Sequence, residues 1–139
     1  MIKSNIQKTA IVFFFIMFIY SGFNKILSFE DKVITLKKKT NLIYPINELG
    51  MIGVILLEIV GSLLILYYFF GGKINKEIIK KICYIYFAFL IVVTFLYHPP
   101  HKKIIPFLSN LTTFGGLLLI YNLIWNNKYI SIVICMITL

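Results

Sequence analysis

Apolar residues occur in four long blocks along the chain, and shorter gaps rich in lysine separate the blocks. The blocks cover residues 9–28, 46–70, 78–97 and 105–125. Because an α-helix rises about 1.5 Å per residue, a block of about 20 residues crosses a hydrocarbon layer about 30 Å thick. The pattern therefore predicts an all-α protein in which residues 1–125 form a membrane four-helix bundle.

The longest gap, residues 28–44, and the C-terminal residues have patterns of their own. Phe29, Val33 and Leu36 follow one another at helical spacing among charged residues, which predicts a short helix on the membrane surface that Pro45 ends. Residues 126–139 form an apolar tail that is too short to cross the membrane alone. The tail lies at the interface, re-enters the membrane partway or packs on a partner, and the sequence leaves these alternatives open.

An even number of crossings places both termini on the same side of the membrane. The lysines are divided equally between the two sides, so the excess of basic residues expected on the cytoplasmic side gives little direction. The compact basic cluster at residues 73–81, with Glu30 and Asp31 on the opposite side, favours cytoplasmic termini.

Composition excludes a water-soluble globular domain. Hydrophobic residues make up 60% of the chain and charged residues 14%, and the mean hydropathy is +0.91. A soluble domain has about a quarter of its residues charged. The net charge of +9 comes from lysines that flank the apolar blocks. Such lysines indicate contact with lipid head groups rather than binding to nucleic acid.

Cysteine and histidine spacing argues against thiol chemistry and against a metal site. Cys83 and Cys135 lie far apart in apolar surroundings, and the sequence contains no CxxC motif, so both are interpreted as structural thiols. His98 and His101 are separated by two prolines, which prevents one helical turn from presenting both side chains to a metal. We therefore predict no metal ion.

Polar residues inside the blocks concentrate in one half of the membrane. In an antiparallel bundle, the helix ends and beginnings that carry Lys25, Glu58, His98 and Asn110 lie toward the same face. At helical spacing, Gly50, Gly53, Leu57 and Gly61 fall on one face of the second block, and Glu58 lies within about 60° of Gly61. Because small residues mark close helix contacts in membranes, we expect Glu58 to face the bundle.

A carboxylate in this position needs a physical explanation. A charged Glu58 in hydrocarbon costs about 2.5–3.5 kcal/mol on insertion scales. The side chain is therefore expected either to pair with Lys25 or to remain protonated. Two interpretations follow: a structural contact between helices, or the floor of a binding or redox pocket that opens to one side.

Several segments together resemble the DoxX family of small membrane proteins. They are FIYSGFNKI at 18–26, Pro45 at the entry to the second helix, LLEIVGSLLIL at 56–66, TFLYH at 94–98 and LSNLTTFGGLLLIY at 108–121. The resemblance implies a four-helix bundle with both termini inside. Some members are subunits of thiosulfate:quinone oxidoreductases, and others associate with membrane redox complexes. The positions that match the family's recurring polar residues are Ser21, Gly22, Lys25, Glu58, His98 and Asn110.

The leading hypothesis is a small membrane subunit tied to redox chemistry that binds a quinone-like head group among these residues. Lys25 would hold an anionic oxygen, Glu58 would exchange a proton, and His98 would admit protons from the aqueous face. Asn110 would orient the ring, and Glu58 and His98 are the candidate catalytic residues. Expected partners are the lipid bilayer and a membrane redox complex or further copies of this chain.

Two other function classes stay open. One is a non-enzymatic membrane scaffold or assembly factor that uses the tail as its contact. The other is a carrier of a small solute. Whether the chain is an enzyme is undecided, because no motif for flavin, haem or an iron–sulfur cluster is present in the sequence.

Overall fold

The computed structural model describes residues 5–98 and 104–125, and four of its helices are long and apolar enough to cross a membrane. The helices are α1 (Asn5–Leu27), α2 (Phe29–Thr40), α3 (Ile46–Phe69), α4 (Lys76–Tyr97) and α5 (Ile104–Trp125). The four predicted blocks are confirmed as α1, α3, α4 and α5. The chain is thus an all-α, multi-pass membrane protein. Residues 126–139, the predicted tail, lie outside the described residues.

Helix α2 is the predicted short helix between the first two spans. Glu30 and Asp31 lie in its first turn and Lys37 in its last, so charges complement the helix dipole at both ends. The helix ends earlier than predicted, at Asn41 rather than at Pro45. The backbone of Asn41 is left-handed (φ 52°), and its N–H donates to the Lys37 carbonyl at 2.9 Å. An αL residue of this kind closes a helix without proline.

Two close helix pairs, α1 with α3 and α4 with α5, make up the bundle. The pairs meet through aromatic side chains: the Tyr86 ring lies 6.0 Å from the Phe15 ring and 5.1 Å from the Phe18 ring. The buried core takes residues from all four spans: Ile11, Phe15, Phe18, Ile65, Phe69, Ile79, Cys83, Tyr86, Leu90, Leu117, Ile120 and Ile124. The Cys83 side chain is fully buried in this core, consistent with a structural thiol.

The outward surface of the spans is as apolar as the core. Large side chains such as Phe13 (70% exposed) and Leu119 (68% exposed) point away from the protein. In water this surface would drive aggregation, whereas in a bilayer it contacts acyl chains. The position of the apolar residues therefore fits a bundle surrounded by lipid.

Lysines and aromatic residues mark both ends of the α4–α5 pair. At one end, the Lys80 ammonium lies 4.0 Å from the centre of the Trp125 ring, and Lys76 donates to the Trp125 carbonyl. At the other end, Lys39 of α2 donates to the Leu96 carbonyl at 3.2 Å and lies over the Tyr97 ring. Helix α2 is thereby fastened to the end of α4. The arrangement is typical of aromatic and basic residues at membrane interfaces.

Candidate functional site

The Lys25 ammonium and the Glu58 carboxylate form an ion pair between α1 and α3. Lys25 Nζ lies 2.8 Å from Glu58 Oε1 and 2.7 Å from Oε2, a contact to both oxygens. The Glu58 side chain is 4% exposed and the Lys25 side chain 20% exposed. The expectation that Glu58 faces the bundle is confirmed, and pairing with Lys25, rather than an isolated protonated acid, is the arrangement found.

Ser21, one helical turn before Lys25 on α1, hydrogen-bonds to both members of the ion pair. Its hydroxyl accepts from Lys25 Nζ at 2.6 Å and donates to Glu58 Oε1 at 3.3 Å. An ammonium has three N–H donors, and here they point to Ser21 and to the two carboxylate oxygens. All three Lys25 donors are therefore used within the protein.

Glycine at position 22 allows α1 and α3 to approach each other at the ion pair. A Cβ atom on Gly22 would lie 2.6 Å from Ile59 Cγ1 and 3.3 Å from Glu58 Cβ. By contrast, no other part of the described chain comes within 4 Å of the Cβ position of Gly53, although helical spacing placed it on the same small-residue face as Gly61. The predicted close-contact face of α3 is thus wrong at Gly53 and right at Gly61, which packs against Tyr86 and Ile82.

Glu58 lies in a π-helical turn of α3, Leu57–Gly61. A π turn takes one extra residue, which changes the direction of the side chains that follow, and such turns are frequent at functional sites. The two polar residues at this turn, Glu58 and Ser62, are both buried. The local change of helix geometry explains why the face predicted from a regular helix does not hold along the whole of α3.

Tyr86 of α4 stabilises this turn, and the sequence interpretation did not include it. Its hydroxyl donates to the Leu57 carbonyl at 2.7 Å and lies 2.7 Å from the Ser62 hydroxyl. Because a tyrosine hydroxyl has a single proton, Ser62 is the donor in the second bond. The only sequence signal was a tyrosine in the middle of a spanning block, where a buried phenol needs a hydrogen-bond partner.

Asn110 lies in a different place from Lys25 and Glu58. Its side-chain amide donates to Thr94 Oγ1 at 3.1 Å, and Thr94 in turn donates to the Leu90 carbonyl at 2.6 Å. The bond from Asn110 to Thr94 joins α5 to α4, whereas the hydrogen bonds of Glu58 go to Lys25 and Ser21 on α1. The structure brings Ser21, Gly22, Lys25 and Glu58 together and places Asn110 with Thr94.

An apolar groove of about 170 Å³ runs beside Asn110 between α4 and α5. Its walls are mainly aliphatic and aromatic: Leu90, Ile91, Thr94, Phe95, Phe107, Asn110, Leu111 and Phe114. The groove surface is almost wholly apolar, and the amide of Asn110 and the hydroxyl of Thr94 bond to each other at its edge.

His98 closes α4. Its backbone N–H donates to the Thr94 carbonyl at 2.9 Å, and its ring centre lies 6.5 Å from that of Tyr97. The position is at the helix end, as the sequence predicted, on the side of the membrane that holds Lys25. The neighbouring His101 lies outside the described residues.

Comparisons of this chain with protein-family models, with curated proteins and with solved structures gave no match.

Proposed function

We propose that this multi-pass membrane protein is a DoxX-like small subunit of a membrane redox complex, and that it binds a quinone-like head group where Lys25 and Glu58 meet. The observation that supports this most is the ion pair itself, with Nζ–O distances of 2.7 and 2.8 Å between two spanning helices. Charged groups within spanning segments are costly and mark functional sites.

The geometry also supports the resemblance to the DoxX family. Ser21, Gly22, Lys25 and Glu58 come from segments that are more than 30 residues apart in the chain, and they meet at one point of the bundle. Four of the six positions that match the family's polar residues thus converge, whereas Asn110 bonds to Thr94 on α4. His98 at the end of α4 would admit protons, as the sequence hypothesis holds.

Quinone chemistry needs the two groups that this site provides. Ring oxygens accept hydrogen bonds, and the oxygens of the reduced ring release protons when electrons leave. An ammonium can bind such an oxygen, and a carboxylate at hydrogen-bond distance can take the proton. The bound quinone supplies the redox chemistry, electrons pass to a partner in the complex, and this chain supplies binding and proton exchange.

The groove beside Asn110 is a second location for the ring, since its apolar lining includes aromatic side chains. Its volume of about 170 Å³ is small but open on one side. A ring in this groove would lie between α4 and α5, whereas a ring at Lys25 would lie against α1 and α3. A photoreactive ring would label different peptides at the two locations, so one labelling experiment distinguishes between them.

The test is photolabelling of the purified protein with an azido-quinone in nanodiscs, followed by peptide mapping. We expect label on the α1 and α3 segments around Lys25 and Glu58, and loss of that label in Lys25→Met. Lys80→Met, which removes the ammonium of the Lys80–Glu77 ion pair at the other end of the bundle, serves as the matched control and should be labelled like the wild type.

The remaining outcomes are distinct. Label on the α4–α5 segments around Asn110 moves the quinone site to the groove. Absence of label together with absence of quinone in the lipid extract of the purified protein overturns the quinone proposal. A stably co-purifying protein without quinone would then favour the scaffold or assembly-factor hypothesis.

A further inference from the structure

The hydrogen bonds that Lys25 already makes limit what the site can bind. All three ammonium donors are used, at 2.6 Å to Ser21 and at 2.7 and 2.8 Å to the Glu58 oxygens. A ligand oxygen can bind Lys25 only if one of these acceptors gives way. Two of the three belong to Glu58, so the carboxylate is the main competitor of any ligand.

The net charge of the ion pair further limits which ligands the site can bind. The paired ammonium and carboxylate are neutral together, and Glu58 is nearly fully buried. Adding an anion would leave one uncompensated negative charge in a region of low dielectric constant, which is strongly unfavourable. Adding a proton to Glu58 at the same time removes that charge and frees two Lys25 donors for the ligand.

We infer that the Lys25–Glu58 site binds a weak acid as its anion on Lys25 together with its proton on Glu58. The O–H bond of the acid breaks, the proton bonds to a Glu58 oxygen, and the acid oxygen takes the Lys25 N–H bonds that Glu58 leaves. No electron moves and the total charge is unchanged. An acidic ring hydroxyl belongs to this class, so the inference deepens the proposed function and rests on the same site.

Other ionisable groups around Glu58 do not replace it as the proton acceptor. From α4, the Tyr86 hydroxyl bonds to the Leu57 carbonyl and Ser62, and the Cys83 thiol is buried in the core. From α2, Lys39 bonds to the end of α4. On α1, Lys25 itself is the charged neighbour. Glu58 is therefore the group that gains the proton.

The experiment uses 4-nitrophenol, a single ring whose phenol and phenolate forms absorb at different wavelengths. The probe is added to the purified protein in detergent at a pH where the free probe is mostly phenol. We expect the bound probe to show the phenolate band. At a pH where the free probe is phenolate, we expect uptake of one proton per bound probe, measured with an indicator dye in weak buffer. Its affinity should then fall about tenfold per pH unit.

Variants assign the two roles. Lys25→Met should lose the phenolate band and bind at least about tenfold more weakly, which corresponds to about 1.4 kcal/mol. Glu58→Gln should bind phenolate without proton uptake, so that its affinity stays constant with pH. Glu77→Gln and Lys80→Met alter the exposed ion pair at the other end of α4, with a 2.8 Å N–O distance, and should behave like the wild type.

Three results would overturn the inference: no binding by the wild type, binding without the phenolate band or proton uptake, or unchanged binding in Lys25→Met. Proton uptake by the wild type needs no variant, so the test holds even if Glu58→Gln fails to fold. If quinone labels the site but the nitrophenol signals are absent, the proposed function stands and this inference fails. If the nitrophenol signals appear but no quinone binds, this inference stands and the proposed function fails.

Discussion

The two helix pairs of the bundle are joined by different chemistry. Between α1 and α3, an ammonium and a carboxylate meet at 2.7 Å with a serine beside them. Between α4 and α5, the hydrogen bonds between side chains join neutral groups: Asn110 to Thr94 at 3.1 Å and Tyr84 to Tyr121 at 2.5 Å. Charged contacts between these two helices are at the helix end, where Lys76 and Lys80 meet Trp125. Aromatic packing accompanies them, with the Phe87 and Phe114 ring centres 5.1 Å apart.

The difference shows how much each pair depends on single residues. When one member of a buried ion pair is removed, the other remains as an unpaired charge, so the two residues depend on each other. When a neutral hydrogen bond is lost in a membrane, apolar packing remains and the loss is small. The α1–α3 pair should therefore be sensitive to point substitutions and the α4–α5 pair tolerant of them.

The largest effect is expected from Lys25→Met. It leaves Glu58 buried without its partner, so we expect a loss of about 3–5 kcal/mol in the free energy of unfolding. Glu58→Gln should lose less, because Lys25 is one-fifth exposed and can turn toward solvent. The double variant should be more stable than the sum of the single losses predicts. Thermal unfolding of the four proteins in detergent measures the coupling, and additive losses would contradict the ion-pair interpretation.

A second test addresses the close approach of α1 and α3. Gly22→Ala places a Cβ atom 2.6 Å from Ile59 Cγ1, so the Ile59 side chain or the helices must shift, and we expect a loss of about 1–3 kcal/mol. Gly53→Ala is the matched control, because its Cβ position is open. That substitution should be neutral or stabilise by up to about 1 kcal/mol through helix propensity. Equal melting temperatures of the two variants would show that Gly22 is not a contact point.

Tyr86→Phe sharpens the comparison at the junction of the two pairs. The ring and its packing on Phe18 remain, but the Leu57 carbonyl and Ser62 lose the phenol hydroxyl. We expect a loss of about 1–2 kcal/mol, since a buried carbonyl is left without this donor. Ser62→Ala keeps the bond to Leu57 and should lose less. If both variants unfold at the same temperature as the wild type, the hydroxyl does not stabilise the π turn.

The smallest effect is expected in the α4–α5 pair. Asn110→Leu removes the bond to Thr94 and should cost about 0.6 kcal/mol, the average for hydrogen bonds between spanning helices. Thr94→Val, measured by the same thermal unfolding, should behave alike because it deletes the other side of the bond. A loss as large as that of Lys25→Met would remove the contrast between the two pairs.

The sequence by itself determined the four spanning helices and the need of Glu58 for a partner. Each apolar block is long enough to cross the hydrocarbon layer, and helices α1, α3, α4 and α5 correspond to these four blocks. The antiparallel order placed Lys25 and Glu58 in the same half of the membrane, and the high energy of an unpaired charge in hydrocarbon made their contact predictable.

Only the tertiary structure decided how the helices are rotated about their axes. The π turn at Leu57–Gly61 changes the direction of the side chains around Glu58, and the Tyr86 hydroxyl from another helix donates to its Leu57 carbonyl. Gly22 packs against Ile59, whereas Gly53 has open space at its Cβ position in the described part of the chain, and Asn110 bonds to Thr94 on the neighbouring α4. Rotation depends on the packing of large side chains from distant segments, such as Phe18 against Tyr86, and no local periodicity encodes it.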